Sequence, residues 1–129
     1  MINTEKTFVW NIAEVIEKNS IQPDKKITRT LLVQGKHCSA SVVQAQPQDM
    51  PRIHIHHNHE EFLYVLEGEG WFHVGEEKIA VKPGSFVYCP AGVEHGFCLP
   101  MIGRRISIYG PVFDFNNPDR SAVGGEEQN

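Results

Sequence analysis

Arg52-Ile53-His54-Ile55-His56-His57-Asn58-His59-Glu60-Glu61-Phe62-Leu63-Tyr64-Val65-Leu66-Glu67-Gly68 is the stretch on which the fold turns. Side chains on a β-strand alternate between two faces, so His54 and His56 leave the same face and can converge on one point. If that face is buried, the imidazoles need a partner that makes burial tolerable, and a metal ion supplies it. With Glu61 and the downstream His95, the chain offers three imidazoles and one carboxylate, a complete first shell for a divalent transition metal. The run after Glu61 is apolar on both faces: Leu63 and Val65 share its parity, while Phe62, Tyr64 and Leu66 take the other. The outer face therefore needs a cover, either the N-terminal region or a second subunit. A homodimer is the expectation, because those three side chains left in water would form a sizeable apolar patch.

Outward from this stretch, the chain reads as short strands punctuated by turns. Runs at 28–33, 39–46, 52–56, 60–66, 71–74, 78–81, 85–89, 95–99 and 104–109 are separated by breakers such as Pro47 to Pro51, Gly75-Glu76-Glu77, Pro83-Gly84, Pro90-Ala91-Gly92 and Pro100. That cadence predicts an all-β sandwich or barrel. The one helical pattern is Ile12–Lys18, where Ile12, Val15 and Ile16 fall at i, i+3 and i+4 behind Asn11 as N-cap. Three parts follow: an N-terminal strand/helix extension over 1–27, a β-domain over 28–113, and a polar C-terminal tail over 114–129, expected to be mobile.

Composition narrows the function. A chain of 129 residues is one domain's worth. With 40% hydrophobic and 22% charged residues it can bury a proper core without disulfide staples. A formal net charge of −4 argues against a nucleic-acid partner, which needs a basic face. No apolar run is long enough to span a bilayer, and the start of the chain has no apolar signal core, so a cytoplasmic protein is expected. Cys38, Cys89 and Cys98 are odd in number and read as buried thiols of a reducing compartment.

The glycines and prolines then add a second layer. Six residues separate Glu61 from Gly68; five separate Gly84 from Pro90, which is followed by Ala91, Gly92, two more residues and His95. These two patterns resemble the paired signature motifs of the cupin superfamily, and they cover Arg52 to Leu99. The resemblance is to its small single-domain members, and the short Gly68–Gly84 separation is similar to that of compact microbial ones. It implies a double-stranded β-helix, or jelly-roll barrel, with the short N-terminal helix outside it. It also implies ligand roles for His54, His56, Glu61 and His95 toward one divalent transition metal (Fe, Mn, Ni or Zn). Two positions depart from the family pattern: Gln48 stands where the first motif often opens with Gly, and Leu99 where the second often ends with Asn.

Other polar residues read more plainly. His57 and His59 flank Asn58 in a tight connection and are expected in solvent, and Glu60 has the wrong parity to join Glu61. Cys98 approaches the second motif, but a small buried core residue is the expectation for it and for Cys89. Arg104 and Arg105 open the last strand, where a solvated strand end is expected and a pocket taking an anionic ligand is the alternative. His73 is the one strand histidine left as a candidate catalytic acid or base.

Open positions on such a metal admit three chemistries. One is O2 activation against a chelating small molecule. The second is Lewis-acid isomerase, cyclase or lyase chemistry, and the third is small-molecule binding without turnover, as in a sensor. The fold does not choose among them. Tyr64 points outward by parity, and no evident proton-transfer pair accompanies His73. Chemistry that leans on the metal is therefore favoured: a dioxygenase-like oxidoreductase acting on a small molecule.

Overall fold

The computed structural model describes residues 8–123. Helix α1 (Ile12–Lys18) begins where the Asn11 side chain accepts from the Glu14 backbone N–H at 3.0 Å, and ends where the Asn19 amide donates to the Val15 carbonyl at 2.8 Å. Seven residues cannot hold a helix unaided. It leans on the sheet, where the Gln44 side chain donates to the Asn19 carbonyl at 2.6 Å.

The strands are β1 (Ile27–Gln34), β2 (Ser39–Ala45), β3 (His54–Ile55), β4 (Glu60–Glu67), β5 (Gly70–Val74), β6 (Glu77–Val81), β7 (Phe86–Cys89), β8 (His95–Cys98), β9 (Gly103–Gly110) and β10 (Ser121–Ala122). They make two five-stranded antiparallel sheets, ordered β1-β2-β9-β4-β7 and β10-β3-β8-β5-β6. This is the all-β fold that the strand cadence predicts and the jelly-roll that the cupin resemblance implies. Between the sheets lies an apolar cluster of Leu63, Val65, Phe72, Val81, Val87, Cys89 and Leu99. Gly68 turns the chain out of β4 with φ +99°, and a Cβ there would meet the Leu99 side chain at 2.8 Å and the Ile102 carbonyl at 2.9 Å. The two departures from the family pattern meet each other in the same region, with the Gln48 N–H donating to the Leu99 carbonyl at 2.8 Å.

Several expectations need correction. Residues 8–26 contain the helix but no strand, and residues 1–7 lie outside the described residues. The mobile tail is not found over 114–123. Ser121 and Ala122 pair with Ile55 and His54, and the Val123 N–H donates to the Ile53 carbonyl at 3.0 Å; residues 124–129 lie outside the description. Hydrogen bonds to a strand whose pairing partner is remote in sequence leave no local signal in a polar segment. Cys38 is exposed in the β1–β2 turn, although Cys89 is buried and Cys98 half-buried.

The strand parity holds on β4. Glu61, Leu63 and Val65 are buried, and Tyr64 is exposed. Helix α1 contacts β2, and among the described residues the outer face of β4 and β7 keeps Tyr64, Phe86 and Tyr88 exposed. Phe62 stacks on Tyr88 with ring centroids 5.1 Å apart, and Tyr64 pairs with Phe86, which is 66% exposed.

Candidate metal centre and its cavity

Three strands and the connection after one of them bring the histidines and Glu61 together. His54 and His95 are direct register partners on β3 and β8, and Glu61 projects from β4 in the facing sheet. His56 lies just past β3, where the Gly92 N–H donates to its carbonyl at 2.7 Å. Gly92, with φ +78°, thus ties the second glycine–proline pattern to the first. The three imidazole centroids are 4.4 to 5.1 Å apart, and the His56 and His95 Nε2 atoms stand 3.5 and 3.6 Å from Glu61 Oε1.

Hydrogen bonds set the tautomers. Nδ1 of His54 donates to the Arg52 carbonyl at 2.9 Å, Nδ1 of His56 to the Asp119 carbonyl at 2.7 Å, and Nδ1 of His95 to the Val93 carbonyl at 3.0 Å. A carbonyl only accepts, so each Nδ1 carries a proton, and a ring in its neutral form keeps its lone pair on Nε2. The His95 Nε2 is buried without a hydrogen-bond partner. Burial, then the neighbouring His95 and Arg120, pushes the His54 pKa down to about 3, which keeps that ring neutral at physiological pH. Burial disfavours the Glu61 charge, but contacts from His56, His95 and Ser107 outweigh it and hold the carboxyl well below its ordinary range. The Ser107 hydroxyl donates to Glu61 Oε2 at 2.6 Å, leaving Oε1 toward the histidines. A carboxylate facing imidazole lone pairs inside a protein is a donor set that fits a divalent cation. These four residues could hold one.

Asp119 organises the connection between His56 and Glu61. Its carboxylate accepts from the backbone N–H groups of His57 and Asn58 at 3.0 and 2.7 Å and from His59 Nδ1 at 2.8 Å. Its own carboxyl is lowered to about 2, because these bonds outweigh the opposing effect of burial. His59 is therefore not a solvated turn residue. Its Nε2 faces the Val112 carbonyl at 3.1 Å, so both ring nitrogens are directed at acceptors outside the histidine cluster. His57 is exposed as expected.

A cavity of about 740 Å³ opens beside the four residues, a size suited to a small organic molecule. His73 does not reach it. It alternates with buried Phe72 and shares the face of exposed Trp71, so the candidate acid–base role lapses. Cys98 also stays out, its thiol 3.5 Å from the Gln48 carbonyl. Cys89 is buried close to Glu61 and His95, and burial and then the Glu61 charge push its pKa up, keeping it a thiol.

Arg105 is no solvated strand end. It lines the cavity with its guanidinium 4.4 Å from the Phe97 ring, while Arg104 faces the other way and pairs with Glu67 at 2.7 Å. Parity along β9 held this signal: Arg105, Ser107 and Tyr109 alternate with Arg104, Ile106 and Ile108. The same alternation places Tyr109 on the cavity wall. Its phenol oxygen is 3.5 Å from His56 Nε2, and burial and then the Glu61 charge raise its pKa, so it stays protonated.

Comparisons with known proteins agree with this geometry. The chain matches the Cupin domain family over residues 41–99. It is 44% identical over 72 residues to acireductone dioxygenase 1 of Sorghum bicolor, covering 48% of this chain and 40% of that one. The chain thus spans less than half the length of this relative. Among solved structures, a Klebsiella pneumoniae protein with a double-stranded β-helix domain superposes with TM-score 0.72 at 16% identity, over 93% of this chain and all of that one. An RmlC-like cupin from Shewanella frigidimarina superposes with TM-score 0.67 at 22% identity, over 83% and 92%. At such identities the two structures speak for the fold alone.

Proposed function

We propose that the chain, whose residues 41–99 match the Cupin domain family, is a small cupin and a metal-dependent, dioxygenase-like enzyme acting on a small molecule. His54, His56, Glu61 and His95 are the ligands of one divalent transition metal. The observation that carries the proposal is the set of three Nδ1–carbonyl hydrogen bonds, which leaves three Nε2 lone pairs beside one carboxylate, the His95 nitrogen without a partner. When bound, such a metal supplies Lewis acidity or, as Fe(II), O2 activation. The likeness to a plant acireductone dioxygenase favours the latter. Around that centre, Ser107 fixes the Glu61 carboxylate and the cavity admits the substrate.

Tyr109 supports a second reading, a metal-dependent isomerase, cyclase or lyase. A buried, protonated phenol on the cavity wall is a proton donor for a developing alkoxide. We also assign a homodimer, with Phe62, Tyr64, Phe86 and Tyr88 at its interface, and a cytoplasmic setting in keeping with three free cysteines.

Protein purified without chelator should carry about one transition metal per chain by elemental analysis. The His54→Ala/His95→Ala variant should carry none. Unchanged metal content in that variant removes the centre. Oxygen uptake by the Fe(II)-loaded protein against diketones, thiols and catechols supports the oxygenase. Anaerobic turnover supports the second reading, and its loss in Tyr109→Phe assigns the proton donor. Stabilisation by a ligand without any product leaves a binding protein.

A further inference from the structure

The cavity's electrostatics oppose those of the chain. Four basic side chains, Lys25, Arg29, Arg105 and Arg120, line it against two acidic ones, Glu61 and Asp114, in a protein of net charge −4. Arg29 and Arg105 are the informative pair. Both are register partners of Val43, on β1 and β9 to either side of β2, so they lie in one row across the inner face of the sheet. Their backbones are thus about 10 Å apart, two strand spacings, close enough for both guanidinium groups to reach one small ligand.

Each arginine packs against aromatic rings. The Arg29 guanidinium lies 5.0 Å from the Phe115 ring centroid and 5.6 Å from that of Tyr109, and Arg105 lies 4.4 Å from that of Phe97. Ring stacking fixes the plane of a guanidinium and leaves its N–H groups unused. Among the described residues, Arg29 Nη1 and Arg105 Nε are buried and have no hydrogen-bond partner. A buried cation with idle donors is costly unless something accepts from it. Among the described residues neither arginine stands within ion-pair distance of a carboxylate; the Glu61 charge acts on Arg105 from further off, with Oε2 engaged by Ser107 and Oε1 facing the histidines.

We infer that Arg29 and Arg105 form a carboxylate-binding subsite beside the histidine cluster, so that the ligand of this cavity is a small organic acid. The carboxylate lies between the two guanidinium groups, both of which line the cavity, and accepts from their N–H groups on that side. The rest of the molecule extends toward Glu61 and the histidines. This rests on the cavity being the site of the proposed function, but the anion subsite itself needs no metal. It narrows the substrate class from any small molecule to one bearing an oxyanion.

The test uses benzoate and its neutral isostere benzamide as probes, with the full chain stripped of metal and desalted. Calorimetry should show benzoate binding at least tenfold more tightly than benzamide, since only the anion completes charge-assisted hydrogen bonds. Arg29→Gln and Arg105→Gln should each lose roughly tenfold or more in benzoate affinity with benzamide binding unchanged. Arg105→Lys, which keeps the charge, should retain part of it and guards against a Gln variant that fails to fold. Equal affinity for benzoate and benzamide, or benzoate binding unaffected in both Gln variants, overturns the subsite. Metal content is read separately. Discrimination without metal binding leaves the subsite standing and sinks the metal centre, whereas metal binding without discrimination does the reverse.

Discussion

The interior of the barrel has two halves of opposite character. On one side Leu63, Val65, Phe72, Val81, Val87 and Leu99 close on one another with no polar side chain among them. On the other, Arg29, Arg105, Tyr109, His56 and His95 line an open cavity. Both halves draw on the same inward-facing positions of the same two sheets. Leu63 and Ser107 are register partners, as are Val65 and Arg105, so a single rung passes from dry to wet across one strand gap. The comparison teaches that the jelly-roll houses stability and chemistry side by side. Glu61 and Cys89 stand at the seam, paired on adjacent strands.

Phe72→Ala should break the dry half with the largest effect. It removes a ring that is 3% exposed and should cost about 3–5 kcal/mol in denaturant unfolding. The surviving folded fraction should keep its metal stoichiometry, and a parallel loss of metal would show that the halves are not separable. Ser107→Ala acts at the wet half and is the next largest. Losing a donor to a buried carboxylate should cost about 1.5–3 kcal/mol. Metal affinity, measured by competition with a chromophoric chelator, should fall about tenfold or more.

Asp119→Asn sharpens the comparison at the rim. The folded-state carboxyl lies at about 2, below its ordinary value, so its contribution to stability is complete above that ordinary value and disappears as pH falls through about 2. Denaturation midpoints of wild type and variant should differ at pH 6 and converge near pH 2. A constant difference across that range would remove the charge from the explanation. The smallest effect on folding should come from Tyr64→Lys with Phe86→Lys on the outer face. Monomer stability should change by about 0.5 kcal/mol or less, while sedimentation equilibrium should fall from two chains to one. A wild-type protein that is already monomeric removes the dimer.

Legibility in the sequence followed the range of the interactions. Strand alternation is local, so the parity of Glu61, Leu63 and Val65 could be read from β4 alone, and helix α1 from its Asn11 cap. Parity along β9 was equally local and would have turned Arg105 and Tyr109 inward, had the strand been read residue by residue. His73 was ambiguous because β5 is short and neither face is wholly polar; only the burial of Phe72 decides it. Asp119 left no signal. It sits in a polar, proline-containing segment and acts on a loop some 60 residues away.

The amino-acid sequence by itself determined an all-β barrel or sandwich and, through the motifs that carry the family resemblance, the jelly-roll and the candidate residues His54, His56, Glu61 and His95, because alternation, turn-forming glycines and spacing are properties of neighbours along the chain. Only the tertiary structure decided which imidazole nitrogen carries a proton, since the carbonyls of Arg52, Val93 and Asp119 choose it. It alone set two arginines from separate strands in one row along an open cavity, each against aromatic rings. Hydrogen-bond partnership and electrostatic environment are made by groups that the fold brings from elsewhere, and a linear pattern does not contain them.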